Sequence, residues 1–241
     1  MANNYRIKSL IVNSLQHQRQ EYGDQNAGFT MAEMIVVLLM IGILSVIAAP
    51  GWSAFINRQR LNQANGAVAS VIQETRLQAK STKGTYSISF RVKNKINEYI
   101  PEYIIYPGTP PNPITTTTTP SSNTNPNSGW IALGDTMTLR SREVFLYTNL
   151  NPLTEYNTTT ADRQIVQTNR GEGTITFDSQ GVLAKKSSGA VSDTPLAIMV
   201  AAPVSTNDTA SSVDRCVIIQ TLIGGIRIAK DERCRTIPTN E

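Results

Sequence analysis

Residues 27–49 read Ala27-Gly28-Phe29-Thr30-Met31-Ala32-Glu33-Met34-Ile35-Val36-Val37-Leu38-Leu39-Met40-Ile41-Gly42-Ile43-Leu44-Ser45-Val46-Ile47-Ala48-Ala49. No residue from Met34 to Ala49 carries a charge. The stretch from Phe29 to Ala49 is long and apolar enough to cross a bilayer as one helix. A carboxylate beside such a run is rare without a partner, because it costs about 2.5–3.5 kcal/mol near the bilayer centre on insertion scales. Glu33 is that carboxylate, and it sits just past the small-residue junction at Gly28.

Upstream, Met1 to Gly28 are polar, with Arg6, Lys8 and Arg19 and no apolar core of secretory length. A secretory signal is cut after its apolar region. Here the small residue precedes that region, so cutting after Gly28 would make the apolar helix the new N-terminus. The basic residues ahead of the span predict that residues 1–28 stay in the cytoplasm and that everything after Trp52 faces the periplasm or the outside. An ordinary single-span anchor with a stray acid is the alternative, and it leaves the Gly28-Phe29 junction unexplained.

The pattern Gly28-Phe29-Thr30-x-x-Glu33 followed by an apolar helix resembles the type III signal of type IV prepilins and type II secretion pseudopilins. The resemblance implies cleavage between Gly28 and Phe29 by a prepilin peptidase and methylation of the new Phe29 amine. It also implies a role for Glu33 in assembly. An acid in the first turn complements the positive end of the helix dipole, a term of about 0.3–1 kcal/mol. In a filament, the positive amine of a neighbouring Phe29 would neutralise Glu33 where both charges are otherwise stranded.

Downstream of Pro50-Gly51 the pattern turns amphipathic, with Phe55, Leu61, Ala64, Val68, Val71, Ile72 and Ala79 at helical spacing. One helix from about Phe29 to Lys80 would run roughly 78 Å, kinked at Pro50, which lacks a backbone donor. Two helices broken at Pro50-Gly51 are the alternative. Beyond Thr82, Tyr86–Val92 and Thr174–Phe177 alternate as strands, with Asp178–Gly181 a turn leading to Val182-Leu183. Val144–Tyr147, Leu196–Val200 and Cys216–Ile223 are short β-rich runs. Ser187–Thr194 and Ser205–Ser212 read as loops, and the Pro/Thr-rich stretch 107–129 as a mobile one with almost nothing apolar to bury. The expectation is an α+β fold with a long N-terminal helix laid on an antiparallel sheet head. Its segments are a leader over 1–28, a span over 29–52, an amphipathic helix over 53–80 and the head over 81–241.

The chain has two cysteines, Cys216 and Cys234. In an exported domain an isolated pair favours a disulfide over free thiols. The only histidine, His17, lies in the leader, so neither a zinc site nor a histidine-based catalytic triad is expected. No phosphate-binding loop is present, and Glu98 with Glu102 makes a poor acid/base pair. The sequence predicts no catalytic residue, no cofactor and no metal. Asn157-Thr158-Thr159 and Asn207-Asp208-Thr209 fit the glycosylation sequon by pattern alone.

The segments Ile175–Val182 and Cys216–Lys230 resemble the C-terminal part of the GspH/FimT family, in which a hydrophobic strand ends in a glycine-arginine turn. Members are minor pseudopilins of the type II secretion pseudopilus or minor pilins of type IV pili, and some bind DNA through Gly-Arg-x-Arg. Here Gly224-Gly225-Ile226-Arg227 carries over only Arg227. The net charge of +4 is too slight to argue for nucleic acid, and no aromatics interleave with the C-terminal cations to stack bases. The reading is a minor pilin or pseudopilin held as a single-span precursor in the inner membrane through Phe29–Ala49. Its expected partners are the prepilin peptidase, other pilin subunits and the inner-membrane assembly platform. DNA binding through Arg227 is the alternative function, and a membrane-tethered enzyme or sensor would require an uncleaved anchor.

Overall fold

The computed structural model describes residues 28–95, 98–110, 129–134, 142–151, 155–165, 167, 171–204 and 207–237. The rest of the expected leader and most of the Pro/Thr-rich loop fall outside the described residues. Among the described residues helix α1 covers Met31–Thr82, and eight strands follow: β1 (Tyr86–Lys95), β2 (Glu98–Pro107), β3 (Ile131–Ala132), β4 (Phe145–Thr148), β5 (Gly173–Phe177), β6 (Leu196–Val204), β7 (Asn207–Ile219) and β8 (Ile226–Lys230). A single-turn helix, α2 (Glu232–Arg235), comes after them. The chain divides into two compact units, Met1–Pro50 and Gly51–Glu241.

In the first unit α1 is apolar on every side beyond Glu33. Met31–Ala48 has a mean hydropathy of 2.6, and all its side chains are exposed. By length and composition this segment can cross a membrane. A helix greasy all round has no water-facing side, so its natural surroundings are lipid or other helices.

In the second unit the sequence pattern becomes a stripe. Leu61, Ala64, Val68, Ile72, Thr75 and Ala79 are wholly buried, spaced three and four apart so that they line one face. Phe55 departs from the expected stripe: it is half exposed, its ring beside Trp52 at 6.1 Å. The stripe packs into one hydrophobic core shared with two four-stranded antiparallel sheets, ordered β3-β2-β1-β5 and β4-β6-β7-β8. Ile88, Phe90, Val92, Ile175 and Phe177 supply the first sheet's apolar face. On its other face hydroxyls pair across β1 and β5, Ser87 with Thr176 at 2.9 Å and Ser89 with Thr174 at 2.7 Å. Tyr99 of β2 meets Phe145 of β4 edge-on at 4.5 Å and ties the two sheets together. The arrangement is α+β and pilin-like.

Several local expectations are corrected. The run Cys216–Ile223 is strand only as far as Ile219; Thr221–Ile223 belong to a turn closed by Gly224, whose φ is +76°. Residues 207–212, read as loop from their Ser/Thr content, form the start of β7, paired through Pro203 with Ala210 and Val204 with Asn207. Backbone ladders need no apolar side chain, and that start is nearly all small polar residues. Arg227 lies within β8 and not in a turn. The turn Asp178–Gly181 forms as expected, with Gly181 at φ +71° and its N–H bonded to the Asp178 carbonyl at 2.8 Å. Helix α1 runs through Pro50 without interruption.

Candidate functional site

Gly28, Phe29 and Thr30 are non-helical and exposed, and the helix begins at Met31. The Thr30 hydroxyl accepts the Glu33 N–H at 3.2 Å, and the Thr30 carbonyl accepts the Met34 N–H at 3.2 Å. Thr30 is therefore the N-cap and Glu33 the third helical residue, the spacing of a capping box. The Gly28-Phe29 peptide is thus left in accessible irregular backbone, two residues before the chain locks into a helix. Thr30 stands in the sequence pattern only as a motif residue; its capping role was not read there, although Thr-x-x-Glu ahead of an apolar run is the signature of a cap. Phe29 is 76% exposed. Among the described residues no cation reaches the Glu33 carboxylate.

At the other end of the chain, Cys216 of β7 and Cys234 of α2 form a disulfide, with Cα atoms 5.6 Å apart and both residues fully buried. Beside it lies Asp214, also fully buried, whose Oδ2 accepts Arg235 Nε at 2.9 Å and Nη2 at 2.8 Å. Its Oδ1 is buried without a partner. Burial pushes the Asp214 carboxyl above its ordinary value, outweighing the pull of Arg235.

Arg227, Lys230 and Arg233 gather with Arg215 around a groove of about 370 Å³, bounded on its far side by Asn62, Asn65 and Gly66 of α1. Arg215 is already engaged there, donating to Asn62 Oδ1 at 3.0 Å and to Asp231 Oδ1 at 3.3 Å. Arg227 keeps its Nε buried without a partner. In the sequence these cations are near one another only along the chain; the wall of α1 that turns them into a concave site comes from the fold.

The remaining expectations resolve individually. Glu102 is bound to Arg91 through Nε at 3.0 Å and Nη2 at 2.8 Å, beneath an Arg91–Trp130 stack at 4.0 Å. That makes it half of a structural ion pair. The side chain of Glu98, like those of Pro50 and Asn207, is outside the described residues. Asn157 is fully buried at φ +55°. Its Nδ2 donates to the carbonyls of Thr176 and Ala184, both at 2.9 Å, and its Oδ1 accepts the Thr176 N–H at 2.9 Å. The first sequon is therefore closed to glycosylation in the folded head.

A family model described as "Prokaryotic N-terminal methylation motif" matches residues 24–49. The match brackets the Gly28-Phe29 junction, the Thr30 cap, Glu33 and the apolar half of α1, and it supports a type IV pilin-like protein. The motif implies processing by a prepilin peptidase and assembly with other pilins, and the family that carries it is structural in character. Together with a single apolar N-terminal helix it fits a membrane-anchored pilin. Among curated proteins and among solved structures nothing matches the chain.

Proposed function

We propose that the chain is a minor pilin or pseudopilin of the GspH/FimT type, a structural subunit of a type IV pilus or a type II secretion pseudopilus. The observation that carries this reading is Glu33, without a cation among the described residues, on the first turn of a helix that is exposed over Met31–Ala48 and uncharged from Met34 on. Such a helix gains by packing among copies of itself or its relatives, and an N-terminal amine created at Phe29 would give Glu33 a partner. In this reading the peptidase cuts after Gly28 and methylates Phe29. The head, anchored through Phe29–Ala49, faces the periplasm before it joins the surface or tip of the filament. The DNA-uptake alternative draws less support from the head: Arg227 is partly withdrawn into the fold, and among the described residues no aromatic side chain lines the groove around it.

The test is Glu33→Ala in the host. Membrane insertion and cleavage should be retained while incorporation into sheared filaments is lost. Incorporation at the level of the unaltered protein would sink the proposal.

A further inference from the structure

β8 is the terminal strand of its sheet. Among the described residues no backbone hydrogen bond reaches its outer edge. The cationic groove is lined by four successive β8 residues, 227–230. Successive side chains on a strand point to opposite faces, so a groove touching all four follows the open edge and does not lie on one face. An unpaired edge offers alternating N–H and C=O groups to any extended chain that lies beside it.

The chemistry of the lining narrows the occupant. Among the described residues no acid lines the groove, and Arg227, Lys230 and Arg233 have no ion-pair partner. Asn65 is only 4% exposed, and its Oδ1 is buried without a donor. Arg227 Nε, likewise buried, lacks an acceptor. Ile228 stands 60% exposed among the cations, and Gly66 leaves open space where a Cβ would stand. A ligand that satisfies this set brings carboxylates for the cations, a main-chain N–H for Asn65, an apolar side chain for Ile228 and backbone groups for the edge. A free phosphate brings anionic oxygens but neither a ladder nor an apolar group. A nucleic acid strand brings phosphates but finds no aromatic to stack on.

We propose that the open edge of β8 is a docking site for an extended acidic peptide segment of a partner protein, which adds a fifth strand beside β8 and sets its carboxylates on Arg227, Lys230 and Arg233. Main-chain pairing supplies affinity and the cations supply selectivity, the usual division of labour in strand addition. The site lies wholly within the head and does not depend on processing at Gly28.

The experiment uses the full chain in detergent micelles and a fluorescent end-capped peptide of alternating glutamate and valine. Saturable binding is expected, weakened about tenfold or more by Lys230→Glu together with Arg233→Glu. Both side chains are exposed, so the variant should fold. N-methylation of alternate peptide amides should weaken binding comparably without touching the protein, and the lysine-valine counterpart should not bind. Absence of saturable binding would overturn the proposal and leave the edge cations as guards against aggregation. Indifference to N-methylation, or to the double substitution, would overturn it too. So would tighter binding of oligothymidine of equal charge, which would hand the site to nucleic acid, or displacement of the peptide by equimolar inorganic phosphate.

Discussion

Arg76, on α1, donates from Nε to the carbonyl of Gly181 at 2.8 Å, across 105 residues of sequence. Its Nη1 reaches the carbonyl of Gly224 at 3.4 Å, so one guanidinium fastens the amphipathic half of the helix to the turn after β5 and the turn before β8. Gly181 makes this approach feasible: its φ is +71°, and a Cβ there would meet the Lys80 side chain at 2.8 Å.

Arg76→Ala should therefore cost about 1.5–3 kcal/mol, the range for a hydrogen bond made by a charged group. Gly181→Ala should cost about 1–2 kcal/mol from left-handed strain, plus displacement of the flexible Lys80 chain. Thermal unfolding of the purified protein measures both. Unchanged melting temperatures would show that the helix is held by its apolar stripe alone.

The disulfide joins residues 18 apart in sequence, and in the chain-entropy model a loop of that size contributes about 3 kcal/mol. Replacing both Cys216 and Cys234 by alanine should lower the denaturant midpoint accordingly. Because both cysteines are fully buried, mild reductant should leave the native bond intact until denaturant opens the C-terminal segment. Rapid reduction of the native state would contradict this.

The parts of the fold that could be read in advance are those whose signal is periodic. The apolar run through Ala49 and the stripe Leu61–Ala79 announce α1, and the alternation in Tyr86–Val92 and Thr174–Phe177 announces β1 and β5. The start of β7 was hidden because Asn207–Ser212 pair through their backbones and carry no apolar pattern. Thr221–Ile223 misled in the opposite sense: β-prone side chains sit in a turn whose geometry is set by Gly224. α2 is a single turn and leaves no periodicity. At the N-terminus the motif residues stand close together in the chain, so the pattern Gly28-Phe29-Thr30-x-x-Glu33 could be read without the fold. The groove could not, because Asn65 and Arg227 are 162 positions apart in the numbering and meet only through tertiary packing.

Asp193 gives the head an acid-sensitive contact. Burial would raise its carboxyl, but Lys186 Nζ at 2.7 Å and the Thr159 N–H at 2.9 Å outweigh burial and hold it below its ordinary value of 3.8. With the folded value depressed, the unfolded chain binds the proton more readily. The stabilisation is therefore complete above the ordinary value and is lost as pH falls through the folded one. Asp193→Asn should lower stability at neutral pH and flatten the decline of stability below about pH 4. Urea titrations at stepped pH measure this; an equally steep acid limb in the variant would contradict it. Asp214 acts with the opposite sign, since its raised value makes its contribution shrink as pH climbs above 3.8.

Cleavage of the peptide bond between Gly28 and Phe29 is what would turn the apolar helix into the leading end of the mature chain. Intact-mass and N-terminal sequence analysis of the protein extracted from the membranes and filaments of its own host should find a chain that begins at Phe29 and carries one methyl group on its amine. A mature protein that retains residues 1–28 would contradict it.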